Sequence, residues 1–135
     1  MTIEPFEVRS SSDVASALHR LIDARVDAAL LGSDTLLLNE RQQIADTMRA
    51  HGIPAIYPFR EYLDTNPLIV YGANISVLFQ GIAEYADRIL KGEQPGNLPV
   101  QQATAFELVV NLKTTKALSL EMPLSLLMRI SEAIE

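Results

Sequence analysis

The sequence predicts an α/β domain with a mainly parallel sheet of about five strands flanked by helices. Short apolar segments alternate along the chain with longer amphipathic segments, which is the pattern of βαβ units. One short segment, residues 28–31 (AALL), is apolar at every position, as expected of a central strand covered on both faces. The length of 135 residues fits a single domain, which we place at residues 1–135.

The first half of the chain is predicted to alternate strands with helices. Short apolar or alternating runs predict strands at residues 5–9, 28–31, 55–57 and 68–70. A first helix follows the serines at 10–12 and reaches about Arg25. A second helix begins at a capping pair, Asn39 and Gln42, and ends at residues 51–52. A helical turn is predicted at residues 60–63.

The second half contains the longest amphipathic segment, at residues 74–92. Asn74 is a good N-cap, and Gly92 suits the left-handed position that ends a helix. The apolar face of this helix is built from residues at helical spacing: Ile75, Leu78, Phe79, Ile82, Ala86, Ile89 and Leu90. Residues 106–112 (FELVVNL) predict a buried strand, and Lys113 opens a short helix.

Composition excludes several functions. The net charge of −6 argues against nucleic acid, which needs clustered lysine and arginine. No apolar run is long enough to span a membrane, so we expect no direct membrane insertion. The chain has no GxGxxG, Walker A or HExxH motif, and no nucleophile is spaced to meet His19 or His51. We therefore expect no catalytic residues, no cofactor and no metal site.

Three loops follow the carboxyl ends of predicted parallel strands, where open sheets bind their ligands. They lie at residues 32–35, 57–60 and 71–74 and offer a carboxylate, a hydroxyl, a cation, an amide and aromatic rings. These groups would suit a small polar solute. The candidate ligand-binding residues are Asp34, Thr35, Tyr57, Arg60, Tyr71 and Asn74. Local roles compete with this interpretation, because Asp34 and Asn74 are also good caps and Arg60 also suits a solvated helix start.

Several ordered motifs carry a resemblance to a known family. These are HGIPAIYPFREY, then YGAN, a helix ending in RILKG, the run LPV, and FELVVNLKTTKAL. In this order they resemble the C-terminal portion of bacterial ABC-transporter substrate-binding proteins. The resemblance implies one lobe of a type I periplasmic-binding-protein-like fold. It also implies non-catalytic binding of a small polar or amino-acid-like solute and its delivery to an ABC permease. Some loops depart from the family pattern, as at Asn66-Pro67 and Ala73.

The resemblance also implies an amino-terminal lobe that this sequence does not contain. We expect the helix at 74–92 to pack on that lobe or on a partner chain. A homodimer is the favoured expectation, with Leu78, Phe79, Ile82 and Ile89 at the interface. An alternative is a standalone dimerising sensor or interaction module derived from such a lobe. Family resemblance implies a periplasmic or extracytoplasmic location. The sequence shows no signal peptide, which favours the cytoplasm if Met1 is the native start.

Overall fold

Five strands form one sheet, in the order β1-β2-β3-β4-β5, in a computed structural model that describes residues 2–135. The strands are β1 (Ala29–Leu30), β2 (Ala55–Tyr57), β3 (Ile69–Ala73), β4 (Phe106–Asn111) and β5 (Glu132–Ile134). The helices are α1 (Ser11–Asp23), α2 (Thr35–Asn39), α3 (Arg41–Ala50), α4 (Ile75–Leu90), α5 (Leu112–Ala117) and α6 (Leu124–Leu127). Single 3₁₀ segments occupy Arg60–Thr65 and Pro95–Asn97.

The sheet is mainly parallel, which confirms the predicted fold class. β1, β2 and β3 run parallel to one another, and β4 runs parallel to β5. Only the β3–β4 pair is antiparallel in the part of the chain that is described. It is also the most extended pairing, from Ile69 opposite Val110 to Ala73 opposite Phe106. The chain between Ala73 and Phe106 therefore leaves the sheet and returns to it at one end of this pair.

The hydrophobic core lies between one face of the sheet and two helices. Alternation along the strands places Ala55 and Tyr57 of β2 on the core side, together with Val70 and Val109 of the next strands. The helices α1 and α3 cover this face with side chains spaced three or four residues apart: Val14, Leu18, Ile44 and Met48. No residue of α4 is buried, so the core is complete without that helix.

Several predicted elements differ from the observed ones. Residues 5–9 form no strand, because among the described residues they have no neighbouring strand to pair with. The strand predicted at 28–31 is shorter and lies at the sheet edge, where Leu30 is 80% exposed, instead of at the centre. Asn39 ends α2 and does not cap the next helix, which follows Glu40. The strand β5 was not predicted, because three residues carry too little periodicity.

Two tyrosines of the core, Tyr57 and Tyr62, should control stability at alkaline pH. Their ring centroids are 4.8 Å apart, and desolvation raises the pKa of each to about 12 from 10.0. The folded state thus holds protons that the unfolded state loses, so this stability is complete below pH 10 and is lost as pH rises towards 12. Tyrosinate absorbance at these two positions should appear together with loss of near-ultraviolet circular dichroism. Ionisation of both rings in protein that is still folded would contradict their burial.

Candidate functional site

A small cleft lies beyond the carboxyl ends of β2 and β3. Its volume is about 250 Å³, and it is bounded by the loop after β2, the end of β3, the first turns of α4 and one residue of β4. The lining residues include Pro58, Arg60, Glu61, Gly72, Ile75, Ser76, Phe79 and Glu107. The cleft thus combines an apolar wall, a hydroxyl, a cation and two carboxylates. Such a mixture suits a small solute with both apolar and charged parts.

Gly72 allows the floor of the cleft to close. A Cβ at this position would lie 1.9 Å from the carbonyl oxygen of Pro58, which is backbone and cannot rotate away. Only a residue without a side chain lets the end of β3 approach the loop after β2 so closely. The cleft therefore depends on a glycine at this position.

Replacement of Gly72 by alanine should destabilise the protein by about 1–3 kcal/mol, because the backbone of β3 or of the loop must shift. Gly96→Ala is the matched control, since a Cβ there would meet nothing within 4 Å. Thermal or urea unfolding of both variants measures the difference. Equal stability of the two variants would contradict the close approach at Gly72.

A charged network crosses the cleft. Arg60 donates one hydrogen bond to Glu107 at 3.2 Å and another to Glu132 of β5 at 2.5 Å. The hydrogen bond to Glu132 and, to a smaller extent, the hydrogen bond to Glu107 raise the pKa of Arg60, so its guanidinium remains charged. Asn74 donates from its amide to the other carboxylate oxygen of Glu107. Two carboxylates thus face one cation, and the network carries an excess negative charge.

The network is held by the local structure of each element. Asn74 caps α4 by accepting from the backbone N–H of Val77, which leaves its amide group free to reach Glu107. Its own N–H donates to the carbonyl of Ala105 at 2.9 Å. Glu107 lies opposite Gly72 in the antiparallel β3–β4 pair. The outgoing and returning segments of the α4 excursion are therefore tied together at the cleft.

The candidate residues chosen from the sequence divide into two groups. Arg60 lines the cleft, and Asn74 bonds to a residue that lines it. Tyr71 does not line it: strand alternation turns its ring to the face opposite Gly72 and Glu107, where it stacks on Phe106 at 5.9 Å. Asp34, Thr35 and Tyr57 do not line this cleft. Whether a ligand contacts any of the six stays a prediction.

The residues outside the cleft have identifiable local roles. Asp34 caps α2 by accepting from the N–H of Leu36 at 2.7 Å, and Thr35 is the exposed first residue of that helix. Tyr57 is 2% exposed and packs in the core against Tyr62, because it shares the core face of β2 with Ala55. Strand alternation directs its ring inwards, and ligand contact at Tyr57 stays a prediction.

Glu107, Ser76 and Glu132 were not selected from the sequence. Glu107 left one usable signal, a carboxylate within the otherwise apolar strand run FELVV. Charged residues inside such runs are seldom buried without a partner. Its partners are distant in sequence, and only the antiparallel pairing of β3 with β4 brings them together. Glu132 lies on β5, a strand that the sequence did not reveal.

The helix α4 extends beside the cleft with its apolar face uncovered. Phe79 is 65% exposed and Ile82 is 59% exposed, and Leu78, Ile89 and Leu90 are exposed as well. One flank of the helix is covered by the returning chain, where the hydroxyl of Tyr85 donates to the carbonyl of Pro99. The helix does not fold back on its own sheet.

Within residues 2–135, no helix has both the length and the apolar character that crossing a membrane requires.

Comparison with known proteins identifies relatives of this chain. The family described as ABC transporter substrate binding protein matches residues 1–134. A tyrosine-binding protein of Clostridioides difficile is 24% identical over 114 residues, which is 84% of this chain and 33% of that protein. Similarity therefore extends over nearly the whole chain.

Solved structures share the fold. The ABC domain from Streptococcus pneumoniae in complex with L-Trp superimposes with a TM-score of 0.88 and 21% identity, covering 99% of this chain and 46% of that one. A conserved domain protein from Vibrio cholerae gives a TM-score of 0.81 and 23% identity, covering 92% of this chain and 42% of that one. The chain thus spans between a third and a half of the length of these relatives.

Proposed function

The chain belongs to the family of ABC transporter substrate-binding proteins, and on this premise we propose that its cleft forms one half of the binding site for an amino-acid-like solute. Members of the family bind substrates for transport, and the proposed role is binding without a chemical reaction. The single observation that carries it is the mixed cleft at the carboxyl ends of β2 and β3. The remaining half of the ligand would be covered by a second lobe, after which the solute would pass to an ABC permease. The location that suits this role is extracytoplasmic.

The charges of the cleft support a solute with an ammonium group. Arg60 is already engaged by Glu107 and Glu132, so its charge is neutralised inside the network. The surplus carboxylate, with Glu61 beside it, attracts a cation. The backbone N–H groups at the start of α4, near Ser76, favour a carboxylate. An α-amino acid presents both groups a few ångströms apart.

The apolar wall supports an aromatic or large aliphatic side chain on that solute. Ile75 and Phe79 of α4 line the cleft with apolar side chains, and Phe79 supplies an aromatic ring. Aromatic rings give contact area at little entropic cost. Two relatives agree in chemistry: one is named a tyrosine-binding protein, and another is solved in complex with L-Trp. We therefore propose an aromatic L-amino acid as the ligand class.

Titration with L-tryptophan, followed by amide NMR, tests the proposal. The largest shifts are expected at Gly72, Ser76 and Glu107. One lobe buries only part of such a ligand, so we expect a Kd no tighter than roughly millimolar, about −4 kcal/mol. Indole-3-propionate, which lacks the ammonium group, should bind about tenfold more weakly if a carboxylate recognises that group.

Glu107→Gln should remove this preference for the amino compound, while Glu121→Gln, an exposed position that does not line the cleft, should keep it. Shifts confined to another surface would contradict the proposed site. Micromolar affinity in a monomer would contradict the need for a second lobe.

A second candidate function rests on the uncovered face of α4. A standalone chain that dimerises through this face would act as a sensor or interaction module, with α4 taking the place of a lobe-docking helix. The exposure of Phe79 and Ile82 favours some partner for this face. An empty cleft in a stable dimer would support this function over solute binding.

A further inference from the structure

Glu132 belongs to the charged network of the cleft but does not line the cleft itself. Arg60 and Glu107 both line it, whereas Glu132 reaches Arg60 from β5. A solute in the cleft would therefore meet Arg60 and Glu107 but not Glu132. Glu132 can still act on the solute through Arg60, because one guanidinium has a single positive charge to share between two carboxylates.

The sheet places the two carboxylates side by side. Strand alternation puts Glu107 and Val109 on the same face of β4. In the parallel β4–β5 pair Glu132 lies opposite Val109, so it leaves the sheet on that same face. The start of β5 is fixed there, since the N–H of Ser131 donates to the carbonyl of Leu108 at 2.8 Å. The two carboxylates are thus diagonal neighbours on adjacent strands.

Arg60 is shared unequally between these two neighbours. It uses a separate nitrogen for each: Nη2 donates to Glu132 at 2.5 Å, and Nη1 donates to Glu107 at 3.2 Å. Charge-assisted hydrogen bonds of this kind are commonly about 2.7–2.9 Å long, so the bond to Glu107 is the longer and weaker of the two. The cation is therefore held mainly by the carboxylate that lies outside the cleft.

Glu107 keeps much of its negative charge for the cleft. Its second carboxylate oxygen accepts from the amide of Asn74, a neutral donor that fixes the carboxylate without cancelling its charge. The side chain of Glu107 is 22% exposed, against 41% for Glu132, so water screens the charge of Glu107 less. An ammonium group in the cleft would thus be attracted to Glu107 before any other member of the network.

We propose that Glu132 determines the charge preference of the cleft: by holding Arg60, it keeps Glu107 available for the ammonium group of the solute. This inference rests on the proposed function, an amino-acid-like ligand in the cleft, and adds to it a residue that does not touch that ligand. Glu132 is therefore a positioning residue. Without its carboxylate, Arg60 would turn to Glu107 alone, and the resulting neutral pair would no longer attract a cation.

The charges of the three groups predict an order of variants. Arg60, Glu107 and Glu132 together leave one negative charge in the parent chain. Glu132→Gln removes that surplus, whereas Arg60→Gln leaves both carboxylates without a cation. The double variant again has one negative charge, now on Glu107 alone. Glu61, which also lines the cleft, is the same in every variant.

The test is the ratio of the Kd of indole-3-propionate to the Kd of L-tryptophan, measured by amide NMR titration. This ratio is expected to be about ten in the parent. Glu132→Gln should lower the ratio to about two, Arg60→Gln should raise it to about thirty, and the double variant should return it to about ten. A purely structural role of Glu132 predicts no such recovery, because the double variant lacks two side chains of the network instead of one.

Glu135→Gln is the matched control. It removes the same charge three residues farther along the chain, and within residues 2–135 Glu135 makes no hydrogen bond to Arg60. Its ratio should stay at about ten. Arg60 and Glu132 are 49% and 41% exposed, so all variants should unfold cooperatively, as circular dichroism will show.

A crystal structure of the Glu132→Gln variant gives an answer without ligand. The distance from Arg60 to Glu107 should shorten from 3.2 Å to about 2.8 Å. An unchanged distance, a ratio that stays at about ten in Glu132→Gln, or a double variant no better than the single one would overturn the inference and leave the proposed function intact. A parent chain that binds neither compound, or that shows no preference for L-tryptophan, contradicts the proposed function itself, and the inference falls with it.

Discussion

Replacement of Val109 by aspartate is expected to abolish folding. Val109 is 1% exposed and lies in β4, with β3 on one side and β5 on the other. A carboxylate there has no cation in the core and cannot reach water. Burial of this side chain without a partner costs several kcal/mol even if the carboxylate takes up a proton. The whole domain is stabilised by only about 5–15 kcal/mol. The substitution should therefore leave insoluble or unfolded protein.

Val100→Asp is the matched control, since the same change falls on a side chain that is 96% exposed. This variant should keep the Tm of the parent within a few degrees. Circular dichroism and thermal unfolding compare the two. A soluble Val109→Asp protein with a cooperative transition would show that β4 is not central to the core.

The double replacement of Phe79 and Ile82 by glutamate is expected to abolish self-association of the chain. Both side chains are exposed on the apolar face of α4, and neither contributes to the core. Each such side chain left fully in water forfeits about 1.5–3 kcal/mol. A second copy could cover this face, so the parent chain should sediment as a homodimer. The double variant should be monomeric and should still unfold cooperatively, because neither side chain belongs to the core.

Gln80→Glu tests whether charge alone explains the change. Gln80 lies next to Phe79 in sequence but about 100° farther around the helix, on the side away from Ile82, so this variant should remain dimeric. Sedimentation at micromolar concentration distinguishes the species. A monomeric parent, or a dimer that survives the double replacement, would refute association through α4.

Local sequence signals predicted α4 more accurately than any other element. The N-cap at Asn74, the bounds Ile75–Leu90 and the left-handed Gly92 all match. These features depend on interactions within one turn or along one face of a helix, which the sequence contains in full. The strand at residues 106–112 was predicted for the same reason: its apolar run is long enough to show periodicity.

Features that depend on distant neighbours were the ones that local sequence missed. The run at residues 5–9 has the alternation of a strand, but strands exist only in pairs. The segment at 28–31 has the composition of a central strand, yet among residues 2–135 it has a neighbouring strand on one side only. In both cases pairing partners, and not local pattern, decided whether a strand formed and where it lies.

The candidate site was predicted in part. Arg60 and Asn74 belong to it because ligand sites follow the carboxyl ends of parallel strands, and that rule depends on strand order alone. Tyr57 faces the core beside Ala55, an orientation that a strand of three residues does not reveal through its periodicity. Glu107 was missed because the sequence did not show that β4 pairs antiparallel with β3.

The pairing of Ala73 with Phe106 has a consequence for how this protein can be rebuilt. The chain leaves the sheet and returns to it at adjacent positions, and no residue of α4 belongs to the core. Residues 74–105 are therefore an insertion in a β-hairpin, and a two-residue Asn-Gly turn could join β3 to β4 directly. Residues 74–105 can therefore be deleted or replaced by another segment. The exposed surface would change, while the sheet would stay the same.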